Sequence, residues 1–545
     1  MSEELPATEY HERTKHSPES VRAGPGLNFE NKPTPYKRYV DLPREPLPDD
    51  PPEPGIPSLD AIAIERPVPP EDAPFDDLEA SEIDRETLAQ LCQYAAGITK
   101  EIELRDRTVE FRAAACTGAL YHVDLYPVCG DLDDLNAGVY HYDPSTHSLN
   151  VLREGDFRGV LAEASADDRV EDAPVTFVAT STWWRNAWKY RERTFRHAFW
   201  DSGTMLANLL AVAHARGLPA SVVLGFADGA IVDLLGLDPA DEAPLELVPI
   251  GANESVPEPP TVDPIEPSTE PLSPNPKSYP LIHRAWRAGT LEDGEAAVRW
   301  RSDVRDFAPV KPDETAATID ESAATIDESA ATIDETAAKP DETDHGERVP
   351  LDPVDRETAS ARPLGNTIVR RGSCRDYERN AISFRQLSTI LDRAVRGVPM
   401  DVRNADGRPL QYTDCYAIVT AVEGLESGVY QFHPSDGDLE RLQRGEFRRE
   451  AGHLALDQRL GADAAVCLYF LADVESIADE LGDRGYRVAQ FEAAVTAGRL
   501  YLATYAHRTL GGTGLTFYDD VVADFLSPRA EGTTPMFLYT IGRPA

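Results

Sequence analysis

Lysine is scarce in this chain. Eight lysines occur in 545 residues, and none follows Lys339. Arginine therefore carries almost all of the positive charge, and 95 acidic residues against 53 Lys and Arg leave a formal net charge of −42. Because strong salt screens such self-repulsion, the composition favours adaptation to molar salt over ordinary acidic solubility. Nucleic acid and anionic membranes are poor partners for most of this surface.

Long apolar runs and paired cysteines are also absent. No run of 18 or more apolar residues occurs, so no transmembrane helix is predicted. The first 20 residues contain no apolar signal segment, which predicts a cytoplasmic protein. The six cysteines form no CxxC motif and have no histidine at metal-ligand spacing. We therefore expect reduced thiols and no metal site.

The chain contains an internal repeat. Three ungapped alignments define it: 118–158 with 408–448, 193–235 with 484–526, and 244–251 with 535–542. The offset is 290 in the first alignment and 291 in the other two. We therefore predict two copies of one domain, at 27–255 and 363–545. Two arginine pairs recur at matching places, which predicts a structural role for them: Arg193 with Arg196, and Arg484 with Arg487.

The segment between the copies, residues 256–362, has a different composition. It begins rich in Pro and Glu, and residues 313–343 repeat the unit DESAATI with one isoleucine per seven residues. One apolar residue per heptad is too few for a coiled coil, so we expect a disordered, self-repelling tether. The apolar spacing of residues 278–305 predicts a short helical segment that packs on one of the domains.

Each copy has the mixed helix and strand pattern of an α+β domain. Asp84 begins an amphipathic helical pattern that ends at Gly97. Ser383 and Gln386 form a predicted capping box for the corresponding helix of the second copy. The segments GVYHYD and GVYQFH alternate as strands. Long helices are predicted at about 196–216 and 487–508.

An arginine cluster opens the second copy. The segment VRRGSCRDYE (369–378) places three arginines within six residues, around a Gly-Ser pair and just before a predicted helix. Arginine is a rigid, planar donor for phosphate, a serine hydroxyl adds a donor, and glycine admits close backbone approach. The pattern indicates a phosphate site, with a surface patch paired to the abundant carboxylates as the equal alternative.

Several longer stretches carry a family resemblance. The segment RRGSCRDYERNAISFRQLSTILDRAVRG (370–397) resembles the opening of nitroreductase superfamily domains, and residues 484–514, ending in RTLGGTG, continue it. In the first copy, RAAACTGALYHVDLY (112–126) and WKYRERTFRHAFWDSG (188–203) are similar to the SagB/ThcOx branch. By this resemblance the chain is identified as a tandem, haloarchaeal-like member of the superfamily.

The resemblance implies an α+β fold in which two domains pair and bind FMN at their interface. Here the pair would be an intramolecular pseudo-dimer. The second copy keeps the phosphate donors and the Gly-rich loop: Arg371, Ser373, Arg375, Gly511, Gly512, Thr513 and Gly514. The first copy keeps most of the small-residue loop of the flavin site: Thr117, Gly118 and Ala119. The family usually has Pro-Ser where this chain has Ala115 and Cys116.

A second flavin site would combine the Gly-rich loop of the first copy with the small-residue loop of the second copy. Both of these segments are degenerate. Residues 220–223 of the first copy have lost the glycines of the Gly-rich loop. The second copy has the bulky Arg408 in place of the small-residue loop. Because both losses belong to the same site, we expect one FMN per chain.

Lys189 and Tyr190 stand where the SagB-like dehydrogenases have a Lys-Tyr pair implicated in catalysis. A solvated lysine at the start of a helix is the alternative, but a lysine retained in a lysine-poor chain is informative. We expect Trp183, Trp184 and Trp188 to desolvate Lys189, which would lower its pKa and let it act as a base.

The reaction implied by the resemblance is oxidation of a peptide thiazoline or oxazoline ring to the aromatic azole. The base would remove the Cα proton while FMN accepts a hydride. A peptide or small-molecule substrate, and a peptide-modifying enzyme complex, are the implied partners. Two alternatives stay open: an NAD(P)H-dependent reductase of nitro compounds, quinones or enones, and a flavin-free scaffold of a peptide-modifying complex.

Overall fold

The computed structural model describes most of the chain. The described residues are 4–24, 26–64, 83–103, 105, 108–303, 346–355, 362–403 and 411–545. The heptad-repeat segment (313–343) and Arg408 lie outside these ranges, so the expectations for them stay predictions. Within the described part of the chain, no helix is both long and apolar enough to cross a membrane.

The first half is built around a six-stranded antiparallel sheet. The strands of this half are β1 (Arg44–Pro46), β2 (Ile98–Glu103), β3 (Thr108–Arg112), β4 (Val123–Cys129), β5 (Gly138–Asp143), β6 (Ser148–Glu154), β7 (Val175–Thr182) and β8 (Glu242–Ile250). The sheet has the order β1-β6-β5-β4-β7-β8, and β2 and β3 form a separate hairpin. Strands β4, β5 and β7, and the last strand β8, are buried along their whole length, as expected for strands covered by helices.

The second half contains a larger sheet. The strands of this half are β9 (Arg348–Pro350), β10 (Tyr377–Glu378), β11 (Ile382–Ser383), β12 (Asp414–Val419), β13 (Val422–Glu423), β14 (Gly428–His433), β15 (Asp438–Arg444), β16 (Val466–Ala472), β17 (Gly511–Leu515) and β18 (Thr534–Pro544). The main order is β10-β18-β16-β12-β14-β15-β9, with β17 also on β18. Strands β11 and β13 pair with each other.

The strand order is the same in both sheets. The series β6-β5-β4-β7-β8 corresponds to β15-β14-β12-β16-β18, and a short edge strand, β1 or β9, closes each sheet at the same side. An irregularity falls between Val139 and Tyr140 in one sheet and between Val429 and Tyr430 in the other. The offset of 290 that aligns the sequences therefore also aligns these two bulges.

Seventeen helices are present among the described residues. They are α1 (Ala7–Thr14), α2 (Pro18–Arg22), α3 (Ser58–Ala61), α4 (Arg85–Ala96), α5 (Arg158–Ser165), α6 (Asp168–Glu171), α7 (Trp183–Tyr190), α8 (Thr194–Ala215), α9 (Asp228–Leu235), α10 (Pro280–Ala288), α11 (Gly294–Asp303), α12 (Leu364–Arg370), α13 (Phe384–Ala394), α14 (Arg448–Leu454), α15 (Arg459–Asp463), α16 (Val474–Ala506) and α17 (Asp519–Leu526). Short 3₁₀ turns occur at Phe29–Asn31, Thr117–Ala119 and Arg191–Arg193.

The local sequence signals for helices are largely confirmed. Asp84 caps α4 by accepting from Thr87 N–H, and α4 stops before Gly97. Ser383 and Gln386 form the predicted capping box of α13. The two long predicted helices are α8 and α16. Helix α16 begins well before its predicted start, with a break at Gly482, whose φ is 62°.

Helices α8 and α16 cross at the centre of the molecule. A Cβ atom on Gly203 would lie 2.5 Å from Ala494 Cβ, and one on Gly498 would lie 2.5 Å from Ala207 Cβ. Real Cβ atoms do not approach so closely, so glycine is required at both positions for these backbones to meet. The two contacts join residues that differ by 291, which is the sequence offset of the repeat.

Four buried arginines make reciprocal ion pairs across the two halves. Arg196 of α8 donates from Nη1 to Asp519 Oδ1 at 2.6 Å, and Arg193 donates to Asp519 Oδ2 at 3.1 Å. Reciprocally, Asp228 of the first half accepts from two arginines of the second half, Arg484 at 2.6 Å and Arg487 at 2.9 Å. Each half thus supplies the carboxylate for the other, and the predicted structural role of these arginines is confirmed.

The reciprocal contacts include two short arms that the alignment missed. The arm at α1 accepts from the Arg193 and Arg196 guanidiniums through Thr14 O and His11 O. The arm at α10 does the same for the second arginine pair through Gly289 O and Trp286 O. Helix α10 therefore lies where α1 lies in the other half. The helical segment predicted within 278–305 is confirmed as α10 and α11.

Candidate active site

The arginine cluster lies at the boundary between the two halves. Arg371 follows α12, and its guanidinium donates from Nε to Ala113 O and from Nη2 to Arg112 O, both at 2.9 Å. These carbonyls stand at the end of β3, just before the small-residue loop. The guanidinium also lies 5.7 Å from the centroid of the Tyr501 ring. Arg371 therefore joins the second half directly to the first.

The residues after Arg371 pack on strand β17. Cys374 N–H donates to Gly512 O at 3.0 Å, which places Ser373 and Arg375 beside that strand. A Cβ atom on Gly512 would lie 2.0 Å from Tyr539 Oη, so only glycine fits there. The predicted Gly-rich residues all lie on this strand: Gly511, Gly512, Thr513 and Gly514.

One carboxylate, Asp201 on α8, holds the small-residue loop. Its Oδ1 accepts from the N–H and the Oγ1 of Thr117 at 2.8 and 2.7 Å. Its Oδ2 accepts from Cys116 Sγ at 3.0 Å and lies 2.9 Å from His122 Nε2. Burial and the adjacent carboxylate raise the pKa of the Cys116 thiol well above its ordinary value. The thiol is thus a protonated donor that shapes the loop.

Lys189 and Tyr190 end helix α7 beside the same loop. Gly118 has a φ of 67°, and a Cβ atom there would lie 2.8 Å from Tyr190 Oη and 3.4 Å from Lys189 Nζ. Glycine is therefore needed both for the backbone and for the space. The Tyr190 ring packs edge-on against His197, with centroids 4.5 Å apart. The predicted catalytic pair and the loop Thr117–Ala119 form one surface.

Arg375 of the second half lies close enough to this surface for its charge to act on Lys189 and Tyr190. Partial burial, then the positive charges of Arg375 and Lys32, lower the pKa of Lys189 from its ordinary value. Burial and then Asp201 raise the pKa of Tyr190, which the charge of Arg375 partly offsets. The structure therefore brings Arg371 and Arg375 of the second half to the loop and the Lys-Tyr pair of the first half, and Ser373 lies between them in the chain.

The site is electropositive in an acidic protein. Four cations around it form no ion pair with a carboxylate among the described residues: Lys32, Lys189, Arg371 and Arg375. In a chain with 95 acidic residues, such a group of unpaired cations is unexpected unless an anion binds there. The predicted alternative, a surface patch paired to carboxylates, does not hold for these side chains.

The predicted role of the tryptophans is only partly correct. Trp183 and Trp184 are buried and donate to Pro239 O at 3.1 Å and to Ser273 Oγ at 2.8 Å. Trp188 donates to Asn28 O at 2.9 Å and stands next to Lys189 in sequence. Lys189 itself reaches solvent, so its pKa is lowered by partial desolvation and by neighbouring cations and not by a tryptophan enclosure.

Sequence reasoning missed the residues that support the site. Asp201, His122 and Lys32 were not predicted, because their role depends on folding. A usable signal existed for Asp201: the repeat aligns it with Glu492, so an acid stands at this place in both copies. Glu492 likewise accepts from a loop, through Oε1 from Thr413 Oγ1 at 2.6 Å.

At the other end of the boundary, the place that corresponds to this site is occupied by a segment of the second half, around Pro399 and Asp401. Val222 N–H donates to Pro399 O at 2.8 Å, and Asp401 N–H donates back to Val222 O at 2.9 Å. The Asp401 carboxylate accepts from the N–H groups of Leu224 and Gly225 at 2.9 and 2.8 Å. An internal carboxylate thus takes the backbone donors next to the degenerate loop.

Residues 77–252 match the model of the nitroreductase family. The chain contains a nitroreductase-family domain. This confirms the superfamily that the motifs predicted.

Curated relatives of the chain come from archaea and bacteria. The protein named nitroreductase MJ1384 of Methanocaldococcus jannaschii is 29% identical over 186 residues, which is 33% of this chain and 90% of that protein. The trifolitoxin-processing protein TfxB of Rhizobium leguminosarum is 26% identical over 182 residues, 32% of this chain and 49% of that protein. The microcin B17-processing protein McbC of Escherichia coli is 28% identical over 134 residues, 24% of this chain and 49% of that protein. The match thus spans about half of each peptide-processing relative.

A crystal structure of a nitroreductase-type protein from Anabaena variabilis resembles the chain over its whole length. It superposes with a TM-score of 0.70 at 24% identity, covering 99% of each chain. This similarity confirms the α+β, nitroreductase-like fold for both halves.

Proposed function

We propose that this protein is an FMN-dependent oxidoreductase of the SagB/ThcOx type, holding one FMN between its two halves. The observation that carries the proposal is the meeting of two residue sets from opposite halves. Lys189, Tyr190 and the loop Thr117–Ala119 come from the first half, and the arginine cluster with strand β17 comes from the second. Neither half contains a complete site.

The organisation proposed for the molecule is a tandem pair of domains, 27–255 and 363–545, associated as an intramolecular pseudo-dimer. Its support is the reciprocity of the interface, because a two-fold arrangement requires each contact to occur twice with the partners exchanged. The pairs of buried arginines on Asp519 and Asp228 meet this requirement. The arms at α1 and α10 meet it as well, which suggests that each unit begins before the proposed boundary.

The donor set fits the phosphate of FMN. Arg371 Nη1, whose one contact is 3.5 Å to Gly372 O, offers a donor, as do the Ser373 hydroxyl and the Arg375 guanidinium. None of them has a competing carboxylate among the described residues. The glycines of β17 let the side chains of Tyr539 and Phe537 pack closely against that strand. We propose that the backbone of Gly511–Gly514 lines the phosphate site. On the facing side, Thr117, Gly118 and Ala119 would contact the flavin ring next to Tyr190. FMN, when bound, supplies a hydride acceptor.

The proposed role of Lys189 is that of a general base. Its pKa is lowered by partial burial, Arg375 and Lys32, so a larger fraction is neutral near neutral pH than for a free lysine. Neutral Lys189 would take the Cα proton of an azoline ring, and Tyr190 would orient the substrate over the loop. Loss of this proton and of a hydride makes the ring an aromatic azole.

The similarity to TfxB and McbC, named for processing trifolitoxin and microcin B17, supports a peptide substrate and a peptide-modifying partner complex. The rival functions predict different chemistry. An NAD(P)H-fed reductase would reduce quinones or nitro compounds but would not oxidise an azoline peptide. A scaffold would contain no flavin.

Flavin content tests the proposal directly. Protein purified in high salt is expected to be yellow and to release one FMN per chain. Arg371→Ala should lose the flavin while the protein stays folded, with a lower melting temperature because the bonds to Ala113 O and Arg112 O are also lost. Its matched control is Arg370→Ala, which removes the adjacent exposed arginine. A ratio near two would contradict the single site, and a ratio near zero would favour the scaffold.

Substrate tests separate the two enzymatic candidates. The FMN-loaded protein should oxidise a thiazoline-containing peptide with dioxygen or a dye as acceptor. Rapid NAD(P)H-dependent reduction of quinones without any azoline oxidation would favour the reductase.

A further inference from the structure

A loop of the first half lies across the end of helix α7, next to the proposed base. The 3₁₀ turn Phe29–Asn31 and Lys32 form it. Trp188 donates from Nε1 to Asn28 O at 2.9 Å, which fixes one end of the loop to α7. Asn31 exchanges two hydrogen bonds with the Asn275 backbone, at 2.6 and 2.9 Å, which fixes the other end.

This loop presents an apolar edge and a cation. Phe29 is 71% exposed, and its ring packs edge-on against Trp188 with centroids 5.6 Å apart. Lys32 is exposed and makes no ion pair with the described residues. A large exposed aromatic side chain that is held in place by anchored backbone is typical of a binding surface.

The charged groups that act on Lys189 next to this loop are all positive. The charges that act on Lys189 are those of Arg375 and Lys32, and no carboxylate among the described residues offsets them. The proposed phosphate donors Arg371, Ser373 and Arg375 all belong to the second half, whereas Lys32 belongs to the first. Lys32 therefore remains as a cation that the proposed cofactor does not neutralise.

We propose that Lys32 binds a carboxylate of the substrate while Phe29 and Trp188 contact its apolar part. This inference rests on the proposed function and narrows it: the compound that is oxidised carries a carboxylate beside the reacting ring. Because Asn28 and Phe29 of this loop contact Trp188, the neighbour of Lys189, a carboxylate bound by Lys32 would place that ring near the base. Neutral analogues of the same shape would bind more weakly.

Calorimetric titration of the FMN-loaded protein with benzoate and benzamide tests the subsite. The two probes share a flat ring and differ in charge. Benzoate should bind the wild-type protein roughly tenfold more tightly than benzamide, the size of one charge-assisted hydrogen bond. Lys32→Met should lose this preference and leave benzamide binding unchanged. Lys277→Met, which removes an exposed lysine two residues from Asn275, should bind as the wild type does.

The outcomes separate this inference from the proposed function. Equal binding of the two probes by flavin-containing wild-type protein would overturn the subsite and leave the oxidoreductase proposal intact. An unchanged preference in Lys32→Met would also overturn it. Benzoate preference that depends on Lys32 in a protein found to lack flavin would support the subsite and contradict the oxidoreductase proposal.

Discussion

Lys189 is the residue whose proposed chemistry depends most on its surroundings. Lys189→Ala should keep the flavin, because the phosphate donors lie in the other half of the protein. If Lys189 is the base, turnover should fall by about 10²–10⁴, the usual range for general-base catalysis. The wild-type rate should rise with pH as Lys189 loses its proton, with a midpoint below the ordinary lysine pKa.

The conservative variant distinguishes a base from an electrostatic role. Lys189→Arg should stay as inactive as the alanine variant, because arginine remains protonated at working pH. Restoration of activity by arginine would indicate that only the positive charge matters. Full activity in Lys189→Ala would remove the Lys-Tyr pair from the mechanism.

Glu246 is a second residue with a testable ionisation. It is fully buried in β8, where Oε1 accepts from Ser202 Oγ at 2.8 Å, and burial raises its pKa to about 8. The folded protein therefore binds this proton more tightly than the unfolded chain does. The stability that depends on the proton is present below the unfolded pKa of 4.5 and is lost as pH rises through 8.

Glu246→Gln removes this ionisation and should flatten the pH dependence. Melting temperatures measured from pH 6 to pH 9 in the same salt should fall more steeply for the wild type than for the variant. At pH 9 the variant should be the more stable of the two. Parallel curves would contradict the assigned ionisation.

At the scale of elements, the small-residue loop depends on helix α8 through Asp201. Asp201→Asn replaces one acceptor oxygen by a donor group in front of Cys116 and His122, which should destabilise the protein by about 1–3 kcal/mol. The loop Thr117–Ala119 should then shift from Tyr190, and most of the flavin should be lost. Denaturant unfolding and released FMN measure the two effects.

The repeat offers a matched control for this variant. Glu492 holds the loop that begins at Tyr412 in the degenerate half, through bonds of 2.7 and 2.6 Å. Glu492→Gln should keep one FMN per chain even if it lowers stability. Equal flavin loss in both variants would show that the two ends of the boundary are not functionally different.

The heptad-repeat segment is predicted from its sequence to be dispensable. Residues 313–343 contain too few apolar residues to form a packed face. A chain lacking them should fold, retain one FMN and melt within a few degrees of the wild type. Loss of flavin in this deletion would indicate that the segment has a structural role.

At the scale of the whole molecule, the reciprocal ion pairs join the halves. Asp519→Ala and Asp228→Ala each leave two buried guanidiniums without their carboxylate, and each should cost about 3–5 kcal/mol. Asp520→Ala removes only the surface partner of Lys15, 2.8 Å away, and should cost about 1 kcal/mol or less. Denaturant midpoints provide the comparison.

Similar losses in the two buried variants are the signature of a two-fold arrangement. A large effect at Asp519 with none at Asp228 would mean that the halves contribute unequally to the interface. Burial alone would raise the pKa of Asp519, but Arg193 and Arg196 keep it below its ordinary value. The carboxylate therefore stays charged at every pH used for the comparison.

The sequence by itself determined the helices with clear caps and the family, and it predicted the repeat. Caps such as Asp84 and Ser383 act within a few residues, so they can be identified without a fold. The arginine cluster and the Lys-Tyr pair were identifiable because their residue types limit the chemistry. The sequence also indicated that Arg193 and Arg196 are structural, since both recur in the second copy.

Only the tertiary structure decided which residues meet. Asp201, Lys32 and Asp401 gain their roles from contacts between segments far apart in the chain, and no local pattern encodes such contacts. The match of α10 to α1 escaped alignment because the arginines bind carbonyl groups of these arms, and a carbonyl places no demand on side-chain identity. The contacts of these arms depend on where the arms lie across the interface and not on their residue types.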